Sequence, residues 1–375
     1  MKRVIVAVTA LGTAIGGSAF TANAMPPFAQ AYGVACSVCH TQVPALNAYG
    51  RYVQRTGYSS LDPTVLKSAV PVWIGTHAFY DSQDPDRPHQ VQFGNVALHA
   101  AGQINGDWSY HVHQWLWQNN VAGGVDTLWV AYNNLLHRDG HLFIGKIEAP
   151  GPSLFSQTFD LAAFATPEMA VGEHVYENDA NRWGAKLGYT HKNIALEAGW
   201  LASGQDLGGV SDFSGDTDKT FQWKAAYATP ERPLEVGLYG SRGSFPLAEG
   251  GFDQYFSVSG YIQRDPVGYV PGAFLMYQLA KDANPGPDLG IAASNASTIE
   301  IYEPVLHYGM FSVRKEFMND GLGTQTQSGD VDFSFQIARY LRLYTEAGIA
   351  QNSKPAWRYM IWWTTPVTRS LLPQH

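Results

Sequence analysis

From about residue 70 onward the chain runs in short segments that alternate apolar and polar positions, with turn residues between them. A period of two is the mark of strands with one dry and one wet face. In 221–227, Phe221, Trp223 and Tyr227 oppose Gln222 and Lys224. In 331–338, Val331, Phe333, Phe335 and Ile337 oppose Asp332, Ser334 and Gln336. Leu341 and Leu343 oppose Arg342, Tyr344 and Glu346; Phe256, Val258 and Ile262 oppose Ser257, Ser259 and Gln263. Twelve further segments read as strands: Val72–Asp81, Val91–Ile104, Trp108–Trp117, Thr127–Leu136, His141–Glu148, Arg182–Thr190, Ile194–Ala202, Leu234–Ser241, Gly272–Ala280, Ile299–Leu306, Phe311–Phe317 and Trp357–Thr364. The pattern thus predicts about sixteen strands. Asn105-Gly106, Asp139-Gly140, Thr229-Pro230 and Asp320-Gly321 suit the hairpin links between them.

Two longer stretches carry no such alternation, Ala149–Asn181 and Asp282–Thr298. Both read as loops. Loops of this length serve a function or are disordered. The first either folds inward as a constriction or lies on the surface.

Ahead of the strands, residues 25–70 form a separate, compact head. Leu46, Tyr49 and Val53 share one helical face within 44–53. Before the head, Met1-Lys2-Arg3, an apolar run through Leu11 and Thr21-Ala22-Asn23-Ala24 make up a charged, apolar and small-residue series. That series predicts an export signal over 1–24, with the mature chain starting at Met25.

Composition decides where the strands belong. Charged residues are only 15% and aromatics 13%, with 38 glycines, 11 tryptophans and 20 tyrosines. A soluble domain carries nearer 25% charged residues. With no long apolar run after the leader, the combination predicts a mainly β fold. It is read as an outer-membrane β-barrel over 71–375, lipid-facing on one strand face and polar on the other. A large soluble β-protein is the competing fold. The net charge of −8 offers no basic patch, which argues against nucleic acid as a partner.

The head carries the chemistry. Cys36-Ser37-Val38-Cys39-His40 is a C-x-x-C-H pentapeptide, and its two cysteines are the only ones in the chain. That spacing suits covalent attachment of one haem c, with Cys36 and Cys39 as thioethers and His40 as the proximal iron ligand. The bland alternatives are a disulfide and half a zinc site. No second pair exists to complete a zinc tetrad, and a disulfide leaves His40 without a reason. The head is short for an independent fold and would also have to enclose a haem. It is therefore expected to plug or cap the barrel as a short α-helical element, with lumen side chains walling the haem. His111 and His113 share one face of their strand, opposite Trp108, Tyr110 and Val112. They are the candidates for the distal side, or else ordinary lumen-polar histidines with the iron open or water-ligated. The methionines, His77 and His99 stand behind them.

The segment from Pro26 to Arg51 contains Pro26-Pro27-Phe28-Ala29, Gly33-Val34-Ala35-Cys36-Ser37-Val38-Cys39-His40-Thr41 and Pro44-Ala45-Leu46-Asn47-Ala48-Tyr49-Gly50-Arg51, followed by Gly57-Tyr58. This series resembles the N-terminal signature of the outer-membrane cytochrome–porin fusions, the extracellular iron-oxidising monohaem cytochromes. The likeness covers roughly 35 residues. It implies a haem held inside the barrel, an extracellular donor such as Fe(II), and a soluble periplasmic carrier that receives the electron. A lone haem carries one electron, which matches the Fe(II)/Fe(III) couple. Two competing readings remain: a passive porin with a haem-bearing structural plug, and a soluble periplasmic electron-transfer or sensor protein with a β-rich body.

Overall fold

A computed structural model describes residues 28, 32, 34, 36–42, 45–62, 72–84, 87, 89–118, 121–148, 152, 169–171, 174–176, 181–202, 219–246, 252–284, 286, 290–305, 309–338, 341–351 and 353–364. The leader read over 1–24 lies outside them.

Sixteen long antiparallel strands close into a barrel. They are β1 (Val72–Asp81), β2 (Val91–Gln103), β3 (Trp108–Gln118), β4 (Val125–Leu135), β5 (Gly140–Ile147), β6 (Arg182–His191), β7 (Ile194–Ala202), β8 (Lys219–Ala228), β9 (Leu234–Pro246), β10 (Phe252–Arg264), β11 (Gly272–Asp282), β12 (Ala292–Val305), β13 (Gly309–Asn319), β14 (Gln325–Ala338), β15 (Leu341–Ala350) and β16 (Ala356–Thr364). The two-residue strand Val121–Ala122 extends the β3–β4 hairpin. Closure comes from β16 pairing with β1, Met360 opposite Phe79 and Trp362 opposite His77. A closed barrel leaves no strand edge, the condition for crossing lipid with strands. All sixteen expected segments became strands, most of them longer than expected.

The alternation sorts as the sequence suggested. Phe221, Tyr227, Val331 and Phe333 are exposed, whereas Gln222, Lys224, Asp332 and Ser334 are buried. Leu238, Ile299, Ile301, Trp200 and Trp357 extend the exposed apolar belt. An apolar band with charges turned inward is an outer-membrane barrel surface, not that of a soluble protein. Ile299 lies at the middle of β12 on the lipid face. Ile299→Arg should destabilise the barrel by about 2–4 kcal/mol, read as loss of heat-modifiable migration at lower denaturant.

The two ends of the barrel differ. One carries the short links, 104–107, 136–139, 192–193, 229–233, 265–271 and 339–340; the other carries the long one, 148–181. Short turns mark the periplasmic side of such barrels and long loops the extracellular side. Most of 149–181 lies outside the described residues, but Met169–Val171 pairs with His174–Tyr176. Val171 is buried against the inward-facing Tyr255, Ala280, Ala292 and Ala296. This part of the loop folds into the lumen, and small residues on β11 and β12 make room for it.

That packing corrects one expectation. Asp282–Thr298 is not one loop, because β12 begins at Ala292. Its inward positions are Ala292, Ser294, Ala296 and Thr298 and its outward ones include Ala293, Asn295 and Ser297, so neither face was apolar enough to register as a strand.

Candidate functional site

The described part of the head lies inside the barrel at the short-turn mouth. Its one described helix of length, α1 (Ala48–Arg55), is capped by Asn47, whose Oδ1 accepts from the Gly50 N–H at 2.9 Å. The Asn47 side-chain amide also donates to the carbonyls of Ser37 (3.0 Å) and Val38 (3.1 Å), and the Asn47 backbone N–H donates to the Cys39 carbonyl at 3.0 Å. One residue thus starts the helix and clamps the Cys36–Cys39 turn. Cys36–Val38 forms a single 3-10 turn, and His40 opens a two-strand pairing, opposite Leu46.

Helix and turn touch at Gly50. A β-carbon there would stand 1.9 Å from the Cys39 carbonyl oxygen. Gly50→Ala should therefore push α1 off the turn at a cost of about 1–3 kcal/mol, seen as a lower yield of haem-stained protein at unchanged barrel content.

Charge holds α1 in the lumen. Arg51 reaches Glu235 through Nε (3.2 Å) and Asp265 through Nη1 (2.8 Å), and the Ala48 N–H donates to Asp265 at 2.8 Å. Arg55 reaches Glu235 at 3.3 Å, Lys224 does so at 3.2 Å, and the Tyr261 hydroxyl donates to it at 2.7 Å. Burial opposes the Arg51 charge, but Glu235 and Asp265 more than offset this, so its pKa rises above the usual arginine value. Two arginines four residues apart on a helix repel each other. Here a buried carboxylate on β9 meets both. Sequence reasoning missed Glu235, Asp265 and Lys224 as partners; the Arg51, Arg55 spacing was the available signal.

Beyond α1 the chain turns on Gly57 and Tyr58, both left-handed with φ of 55° and 64°. Glycine takes this conformation freely, whereas a tyrosine must be held in it. The hold is visible. Tyr58 stacks on Trp129 at 5.4 Å, its hydroxyl lies 3.0 Å from His111 Nδ1, and Gln103 donates to the Tyr58 carbonyl at 2.6 Å. Asn133 donates to the Gly57 carbonyl at 3.2 Å. Burial first, then the Glu148 carboxylate, pushes the Tyr58 phenol well above its ordinary pKa, so it stays neutral.

The expected site residues fall in two places. Cys36, Cys39 and His40 belong to the clamped turn. Ala45, close behind them, packs against Tyr302, Met310, Tyr344 and Met360 on the β12–β16 wall. His111 and His113 face the lumen as expected, from β3, three strands along the ring from β16. His111 Nδ1 also lies 3.4 Å from Glu148, and His113 Nδ1 lies 2.9 Å from Asp126. His113 stacks on His99 at 4.0 Å, and its Nε2 is buried without a hydrogen-bond partner.

Cys39 is a free thiol rather than half of a disulfide, and burial pushes its pKa up, away from the thiolate a metal site needs. Among the described residues no three His, Cys, Asp or Glu side chains are placed to share a metal ion. Val34 and Val38 stand exposed.

No protein-family model matches the chain, and no curated protein does. Solved structures do. An anion-selective porin from Comamonas acidovorans is similar over 79% of this chain and 99% of its own, with a TM-score of 0.57 and 11% identity. OmpF of Salmonella typhi, in a complex with daunomycin, covers 79% and 97% at 0.55 and 10%. The outer membrane channel DcaP of Acinetobacter baumannii covers 80% and 98% at 0.54 and 11%. The chain has the fold of an outer-membrane porin, and its place is the outer membrane. The barrel, residues 72–364, is itself about four-fifths of the chain.

Proposed function

We propose that this chain is an outer-membrane c-type cytochrome that carries one haem on a head lodged in its barrel. It passes single electrons from an extracellular donor, with Fe(II) leading, to a soluble periplasmic carrier. The observation that carries the reading is the joint placement of the Cys36–His40 turn and α1. Asn47 and Gly50 lock the turn to the helix, and Arg51 locks the helix to the wall. A C-x-x-C-H turn built into a barrel lumen has little purpose without its cofactor.

Cys36 and Cys39 would hold the haem and His40 would ligate its iron. Bound there, haem would supply a one-electron couple. The chain supplies position and dryness. Asn47 fixes the turn, and Arg51, Arg55 and Glu235 fix its depth. Tyr302, Met310, Tyr344 and Met360 form a water-excluding wall beside Ala45. His111 and His113 are proposed for the distal side; a spectrum of each alanine variant tests them. At the short-turn mouth, Tyr52 borders a cleft of about 470 Å³ with Asp139, Lys192, Tyr227, Glu231 and Arg232. A periplasmic carrier would meet the chain there.

The second reading is a passive pore with a structural haem plug, which the porin likeness of the barrel favours. The purified protein, reconstituted in vesicles with a small cytochrome inside, separates the two. Fe(II) added outside, at the acidity of the host, should reduce first the haem and then the enclosed cytochrome. Free solute flux with a haem that never responds to an impermeant outside reductant would favour the pore.

A further inference from the structure

Backbone strain gathers at the short-turn mouth. Six described residues other than glycine take a positive φ, and four of them stand in two of its turns: Leu136 (48°), His137 (60°) and Arg138 (74°) after β4, and Lys192 (52°) after β6. A residue with a β-carbon resists this conformation, so its surroundings must hold it. Asp139 does the holding. Its N–H donates to the Leu136 carbonyl at 3.3 Å, its carbonyl accepts from the Thr190 N–H at 2.8 Å, and its carboxylate meets His191 at 2.7 Å. Asp139 and Lys192 line the cleft that Tyr52 borders, so both turns are fixed at its edge.

The cleft is joined to the head. Gly50 touches the Cys39 carbonyl, and Tyr52, two residues on, lies nearly opposite it around α1. One helix, about 10 Å across, therefore separates the clamped turn from the cleft. Asp265 accepts the Ala48 N–H and donates its own to the Pro233 carbonyl at 2.7 Å, which binds the link 229–233 to the start of α1. Beyond Asp265 the chain projects as an apolar finger. Val267 and Val270 pair across its tip and are exposed, and Tyr269 is 100% exposed. Leu136, 68% exposed, stands beside Asp139 at the strained turn.

Apolar tips around a polar cleft are the make-up of a protein contact rather than of plain turns. The charges give its sign. The cleft's carboxylates are already engaged, Asp139 with His191 and Glu231 with the Thr229 hydroxyl. Its cations are not. Lys192 has no hydrogen bond or ion pair among the described residues, and Arg232 touches only the neutral Tyr227 hydroxyl at 3.3 Å; both are exposed. Unpaired cations at a cleft steer an acidic partner toward it.

We propose that the short-turn mouth is the docking face for a small soluble protein that presents carboxylates around an apolar centre. Lys192 and Arg232 receive the carboxylates, and Leu136 and Tyr269 grip the centre. The partner then meets Tyr52, with one helix between it and the Cys36–His40 turn. This deepens the proposed function by giving the periplasmic carrier its charge and its contact residues. It rests on that reading for the partner's redox role, not for the binding.

An acidic c-type cytochrome with zinc in place of iron serves as a fluorescent, redox-inert probe. It is titrated with the purified full-length protein in detergent, and binding is read from fluorescence anisotropy. Wild type should bind it saturably, and more weakly as salt rises. The Lys192→Glu, Arg232→Glu double variant should weaken the apparent affinity at least about tenfold and flatten the salt dependence. Tyr269→Ser should weaken it several-fold and leave the salt dependence as it was. Heat-modifiable migration checks folding. If the double variant fails that check, Arg232→Gln alone should still weaken binding. Equal affinity in all variants, no saturable binding, or tighter binding of a basic mitochondrial cytochrome overturns the proposal. Leu136 and Tyr269 would then be anchors of the barrel among the lipid headgroups. The two readings fail separately. An acidic partner bound by a protein whose haem ignores Fe(II) removes the electron conduit and keeps the docking face. A haem that Fe(II) reduces, with variants that leave binding unchanged, does the reverse.

Discussion

Replacing Cys36 and Cys39 by serine removes the haem-stained band of the denatured chain and leaves the folded barrel in the outer membrane. Thioethers can form at no other position, because the chain has no other cysteine. The barrel should survive, since the Cys39 thiol belongs to none of the described packed clusters and not to the Arg51–Glu235 anchor. The measurement is a haem-stained denaturing gel beside a heat-modifiability gel of the same membranes. A stained band in the double variant would end the cytochrome reading. Loss of both bands would mean instead that the head is needed to fold the barrel.

The second large effect is expected at Glu235. This carboxylate is 2% exposed and faces Arg51, Arg55 and Lys224 at once, with Tyr261 donating as well. Removing one partner of a buried ion pair leaves an uncompensated charge and costs about 3–5 kcal/mol. Glu235→Ala should therefore release α1 from the lumen rather than merely loosen it. Bilayer conductance should rise from near closed to porin-like, and trypsin added at the short-turn side should cut after Arg51 or Arg55. Arg55→Met on top of Glu235→Ala should recover part of the closed state, because it removes one of the stranded charges. A conductance unchanged by Glu235→Ala would show that hydrophobic packing of Val53 and Tyr58, not charge, holds the head.

Legibility followed physics. Strand positions were readable because a barrel wall sits between lipid and a polar lumen, which forces a period of two on every segment. The rule failed where both faces are small or polar, at 292–298, because an inward loop at Val171 occupies the lumen there. The head motif was readable as chemistry, since Cys36, Cys39 and His40 lie within five residues. Its supports were only half readable. Asn47, Gly50, Arg51 and Gly57-Tyr58 stand in the quoted series, yet their roles depend on Cys39, Glu235 and Trp129, up to 184 residues away.

By itself, then, the sequence determined the number and order of the strands, which face of each meets lipid, the barrel class and the place of the C-x-x-C-H turn. These are local properties, written in period, composition and spacing. Only the tertiary structure decided that α1 lies in the lumen at the short-turn mouth and that Glu235 and Asp265 hold it. It alone put Ala45 against the β12–β16 wall while His111 and His113 enter the lumen from β3, and it alone set Glu300, Arg314 and Asp330 side by side on one rung. Each of these joins residues that closure of the sheet brings together, and closure depends on register between strands far apart in the chain, which no local pattern records.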